Sequence, residues 1–165
     1  MPIDLAAALP TLLPKAVAWA ERESGQALHK GIALDATQSA LAQGAGVRSA
    51  HRVRLRVVDS IPAPEDAKLR AAALQAGLLG PDTIGLTLGY AIFLRRDFAG
   101  DDVLLRHELR HVHQYECYGS IKAFLSVYLP QIVQFGYAHA PLEIDAGTHA
   151  PARNAASHCP GIDER

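Results

Sequence analysis

The chain has 165 residues, of which 49% are hydrophobic and 20% charged, with a formal net charge of −1. That length suits one domain with a real core, and the charge balance excludes a global electrostatic pull toward nucleic acid or anionic lipid. Its two cysteines, Cys117 and Cys159, form no CxxC pair, which excludes a zinc ribbon or a thioredoxin-type site. A 117–159 disulfide can be drawn, but two cysteines make no disulfide framework, and a reducing compartment is the expectation.

The N-terminal stretch "MPIDLAAALPTLLPKAVAWAERE" predicts an amphipathic helix from about Leu5 to Glu23, with Pro10 and Pro14 limiting its first turns. It has no basic region before its apolar part and carries Asp4 early, so it reads as a packing helix rather than a signal peptide. A short helix is expected around 35–43, ended by Gly44 or Gly46. "HRVRLRVVDSIP" then alternates Val53, Leu55 and Val57 against Arg52, Arg54 and Arg56, the period of a half-buried strand with a solvated arginine face.

"PEDAKLRAAALQAGLLG" has acidic residues first and a glycine stop, which predicts a helix. "TIGLTLGYAIFLRRD" reads as two short β segments hinged near Gly89. Asp101 or Asp102 caps a helix from about Val103 to Tyr118, ended by Gly119. A further helical stretch over 120–136 is expected to kink or break at Pro130. Lys122, Pro130, Gln131 and Gln134 interrupt this stretch, so it suits a buried or groove-lining helix better than a membrane span. A last helix starts at Pro141 in "PLEIDAGTHAPARNAA", and "SHCPGIDER" reads as an irregular tail.

The chemistry concentrates in "RHELRHVHQYE", residues 106–116. Helical residues four apart share a face, so His107 and His111 project side by side toward one point. Glu108 lies on the same side, rotated part-way round. Leu105, Leu109 and Val112 fall opposite and anchor the helix to the core, with Arg106, Arg110 and His113 on the remaining flank. Two neutral imidazoles hold Zn²⁺ and leave room for a third ligand and a water. The metal lowers the pKa of that water to roughly 7, and the adjacent carboxylate takes its proton. The third ligand is sought on a later helix: Glu143 is the first choice, with Asp145 and the loop residue His139 as alternatives. Glu143 and Asp145 are two apart and cannot share a helix face.

"HELRH" at 107–111 followed by "EIDA" at 143–146 resembles the H-E-x-x-H plus E-x-x-A arrangement of gluzincin metallopeptidases, the thermolysin-like clan. "GLTLGYAIFLRRDFAGDDVLLRHELRHVHQYE" also resembles small bacterial proteins of that type, including minimal single-domain gluzincins; the resemblance covers roughly 83–147. It implies a sheet whose lower strand borders the cleft, an active-site helix and a glutamate-bearing helix. It further implies that His107, His111 and Glu143 are zinc ligands and Glu108 the general base. Family members often have an aspartate after E-x-x-A that steadies a ligand histidine; Gly147 stands there, leaving that support unassigned.

The expected reaction is metal-assisted hydrolysis of a peptide bond, with Tyr115, Tyr137, His139 and Arg153 as candidate oxyanion donors. Tyr137 and His139 are preferred because they lie on the loop leading to Glu143. A peptide or protein substrate is expected to add as a strand along 90–95, "YAIFLR". The competing reading is a non-catalytic gluzincin-like scaffold acting as a binding or assembly module. In the tail, His158 and Cys159 suit zinc, and a tail folded onto the open coordination position would hold the enzyme latent. The fold class expected is α+β, with a small mixed or antiparallel sheet of about three strands packed on the active-site helix and further helices. One domain is expected over 1–165: a helical region at 1–50, a sheet region at 51–100, a helical metal-binding region at 101–157 and a tail at 158–165. Cytoplasmic location without stable membrane insertion is the corresponding expectation.

Overall fold

The computed structural model describes residues 1–148 and 159–161. Its fold is α+β. In chain order the elements are α1 (Leu5–Lys30), β1 (Ile32–Ala33), α2 (Ala36–Gly44), β2 (Arg54–Val58), α3 (Ala67–Gln75), β3 (Gly85–Leu88), β4 (Ala91–Arg95), α4 (Asp102–Tyr118), α5 (Ile121–Phe135) and α6 (Pro141–Thr148). No described helix is long and apolar enough to cross a membrane.

The sheet has four strands in the order β1-β2-β4-β3. β2 and β4 run parallel, with Leu55 opposite Ile92, while β1 and β3 pair antiparallel to their neighbours. The strand beyond the expected three is β1, whose two residues are too short to show a period of two. Its position depends on Gly31: a Cβ there would lie 2.7 Å from Ala27 O and 2.8 Å from Arg54 Cβ. β3 and β4 form the expected hairpin, with Gly89 at φ +65° in the two-residue turn, where a positive φ is needed. β4 is an interior strand, paired on both sides, so the expected substrate strand at 90–95 has no free edge. The free edge on that side of the sheet is β3.

Two apolar clusters flank the sheet. Ala91 and Phe93 of β4 face Trp19 and Ala20 of α1 and Phe124 and Leu125 of α5. Ile92 and Leu94, on the other face, meet Leu105, Leu109 and Val112 of α4. The alternation along β4 thus places α1 and α5 on one side and the metal-motif helix on the other. α1 runs seven residues beyond its expected end and continues through Pro10 and Pro14, and α5 continues through Pro130. Each proline removes a helical hydrogen bond, but buried residues on both sides, such as Ala8 and Val17 in α1 and Leu125 and Ile132 in α5, hold the helices in place.

Candidate metal centre

α4 is capped by Asp101, whose Oδ1 accepts from Val103 N and Leu104 N, and it ends at Gly119 with φ +88°. Between these stops the i, i+4 spacing brings His107 Nε2 and His111 Nε2 to 3.1 Å. Glu143, in the first turn of α6, closes the triangle: Oε2 lies 3.3 Å from His107 Nε2 and Oε1 3.2 Å from His111 Nε2. The first turn of α6 is clamped in that position. Leu142 N donates to Gln131 Oε1 on α5, and Leu142 O accepts from Gln114 Nε2 on α4.

The hydrogen bonding around this triangle calls for a cation. Gln114 Nε2 donates to Leu142 O and to Asp145 Oδ2, so Gln114 Oε1 is an acceptor toward His111 Nδ1, 2.8 Å away. The His111 proton therefore sits on Nδ1, and the neutral ring directs its Nε2 lone pair at the Glu143 carboxylate. Two acceptors in contact repel unless a proton or a metal ion lies between them. Tetrahedral zinc at its usual bond lengths separates N and O ligands by about 3.3–3.4 Å, close to the three distances here. In the metal-free chain a proton takes that place. Burial pushes the His111 pKa down, but the hydrogen bond and charge of Glu143 outweigh it and hold the pKa at about 9. Burial likewise pushes Glu143 up, and its bonds to His107, His111 and Tyr128 overcome this and hold it well below the carboxylate range.

Glu108 stands beside the triangle, buried, with Oε2 accepting from Thr87 Oγ1 at 2.6 Å. Thr87 and Gly85 alternate on the face of β3 that looks at α4. A Cβ at Gly85 would lie 2.6 Å from Glu108 Oε1. The edge strand thus both grips the carboxylate and leaves room for it. An open cleft of about 610 Å³ reaches His107, Glu108 and Tyr137 from the side of the 77–84 loop. On the inner side, Glu108, His111 and Glu143 also border an apolar cavity of about 150 Å³ that extends to Trp19, Leu69 and Leu129.

Of the other expected residues, Tyr137 lies at the site. The residue is exposed on its outer side, and its hydroxyl pKa is raised by partial burial, by the charges of Glu143 and Glu108 and by a hydrogen bond to Glu143. His139 is exposed on the 3₁₀ turn at Tyr137–His139, and its ring takes part in none of the site's hydrogen bonds. Tyr115 is buried and donates to Thr87 O. Asp145 points away from the triangle into a two-pronged bond with Arg110. Arg153 lies outside the described residues. Arg110 and His113, expected on a polar flank, are buried; Arg110 Nη1 donates to Ala45 O, and His113 Nδ1 donates to Gly46 O.

Three supporting residues escaped the sequence reading. Tyr128 on α5 donates to Glu143 Oε1 at 2.6 Å, Gln114 orients His111, and Thr87 holds Glu108. Support for the ligands thus comes from α4 and α5 rather than from position 147, where a side chain would meet nothing within 4 Å. Gln114 carried a usable signal, since it lies three residues after His111 on the same helix; Tyr128 and Thr87 carried none.

The tail differs from expectation. Cys159 is bonded to Cys117, so the two thiols expected free are paired, and the Cys159 sulfur is not presented to the histidine–glutamate triangle. His158, the other residue of the proposed latency contact, lies outside the described residues. Comparison of the chain with family models, curated proteins and solved structures finds no match, so the reading of the site rests on its own geometry.

Proposed function

We propose that this chain is a zinc-dependent peptidase of gluzincin type, acting on peptide or protein substrates. The observation that carries the reading is the convergence of two imidazole nitrogens and one carboxylate at ligand spacing, with a second, separately held carboxylate alongside. His107, His111 and Glu143 are the residues that would hold the ion. Zinc supplies Lewis acidity when bound, acidifying a water and polarising the scissile carbonyl.

The remaining work belongs to the chain. Glu108 accepts the proton of the attacking water and passes it to the leaving amine. Thr87 keeps one carboxylate oxygen of Glu108 occupied, which leaves the other for the water. Tyr137 stays protonated at working pH and donates to the developing oxyanion. The β3 edge, rather than 90–95, receives the substrate backbone as an added strand, and the apolar cavity beside Glu108 suits a hydrophobic substrate side chain.

The test is metal content and cleavage measured together. Wild type should bind one zinc at this triangle, and both Glu143→Ala and His111→Ala should lose it. Glu108→Gln should keep the zinc and abolish cleavage of casein or a peptide library. Zinc bound by wild type and lost in both ligand variants, with no cleavage by wild type, would replace the peptidase with a binding or assembly module, and zinc retained in both ligand variants would overturn the site itself.

A further inference from the structure

A second cluster of metal-ligating side chains lies on a different flank of α4. His113 and Cys117 are four residues apart and share a face, and Cys159 joins them, all three donor atoms lying within 4.8 Å of one another. Residue 113 is turned about 200° from residue 111 on the helix, so this cluster is separate from the histidine–glutamate triangle. His113 is 1% exposed. Its Nδ1–H donates to Gly46 O at 2.8 Å, and Nε2 faces Cys117 Sγ at 3.5 Å. A backbone carbonyl on one ring nitrogen is how proteins direct the lone pair of the other at a metal. Tetrahedral zinc sets an imidazole nitrogen and a thiolate sulfur about 3.5 Å apart.

We propose that His113, Cys117 and Cys159 form a second zinc site that exists only in the reduced protein, the disulfide being its oxidised, metal-free form. A dithiol reductant supplies two electrons and two protons; the Cys117–Cys159 bond breaks to two thiols, and the reductant leaves as its own disulfide. Zinc then displaces both thiol protons and binds two thiolates and His113 Nε2, with the fourth vertex taken by water. The two sulfurs part to about 3.8 Å in a tetrahedral site. A second anchor keeps Cys159 near after reduction: Tyr118 Oη donates to Pro160 O at 3.0 Å. A Cβ at Gly161 would lie 2.6 Å from that hydroxyl, so the turn seats closely on α4. The donor set, two soft thiolates and one imidazole, selects zinc over magnesium or calcium.

Cobalt(II) titration of the full-length protein, with and without dithiol reductant, tests this. Reduced wild type should show thiolate-to-cobalt charge-transfer absorption saturating at one ion per chain, and oxidised wild type none. Cys159→Ser, which changes only the tail, should abolish the band, and His113→Ala should weaken cobalt binding by about tenfold or more. His111→Ala and Glu143→Ala should leave the band intact, which separates this site from the proposed catalytic one. No band in reduced wild type with two titratable thiols, or a band indifferent to His113→Ala in a variant with native circular dichroism, would overturn the proposal.

Discussion

Gln114 Oε1 accepts a hydrogen bond from His111 Nδ1 at 2.8 Å, while the same amide's nitrogen donates to Leu142 and Asp145 of α6. One side chain thus sets the tautomer of His111, a proposed ligand, and ties its helix to the helix carrying Glu143. Gln114→Ala should lower zinc affinity about 10–100-fold without removing any ligand. A competition titration against a chromophoric chelator measures this, and unchanged affinity would show that the His111 tautomer needs no help.

Tyr128 is the corresponding support for Glu143. Its half-buried hydroxyl donates to Oε1 at 2.6 Å, and desolvation together with the nearby Glu143 charge raises its pKa well above the ordinary phenol value. Tyr128→Phe removes a hydrogen bond to a buried, charged carboxylate and should destabilise the metal-free protein by about 1.5–3 kcal/mol. Urea unfolding of the chelator-treated variant reads this directly, with an unchanged midpoint as the contrary result.

Gly85 supplies a variant that separates chemistry from stability. An added methyl would press on the far end of the Glu108 side chain, which can move, rather than on backbone. If the proposed peptidase reading holds, Gly85→Ala should unfold close to the wild-type midpoint and bind zinc as wild type does, yet lose about 100-fold in kcat through displacement of Glu108, the proposed base. Loss of zinc or of folding in this variant would place the strain elsewhere.

Metal uptake should depend on pH through His111. In the metal-free chain its pKa is raised to about 9, so below that pH binding must expel a proton, and zinc affinity should rise about tenfold per pH unit from 7 to 9. Calorimetry in buffers of different ionisation enthalpy should find close to one proton released at pH 7.5.

The same pair shapes the stability of the metal-free protein. The His111 contribution is full below its unfolded pKa near 6.5 and is lost as pH rises toward about 9. The lowered pKa of Glu143 adds stability that is present above about 4.3 and falls away in acid. Thermal melts of chelator-treated protein should peak between these limits, and a midpoint flat from pH 6 to 9 would contradict the pairing.

Much of the local architecture was legible because it is short-range. Asp101 and Gly119 bound α4, the i, i+4 histidines share a face, and Leu105, Leu109 and Val112 form the buried back, all consequences of helical periodicity and end-capping within one segment. Glu143 is preferred for its place at the start of a helix just after Pro141, and the rule that residues two apart cannot share a face means that Asp145 would not join it; the structure sends Asp145 to Arg110.

Other features depended on partners distant in the chain. β1 exists because Gly31 lets two residues lie against Arg54, a contact that leaves no periodic trace. β4 is interior because β2 runs parallel beside it, which moves the free edge to β3. His113 reads as a surface residue until the loop after α2 brings Gly46 O to its ring, and Tyr128 gains its role only when α5 packs against α6. Spacing along one helix determines which side chains point together. Which groups then meet them, and hold their protons and charges in place, is decided by hydrogen bonds between segments whose separation in the chain carries no pattern.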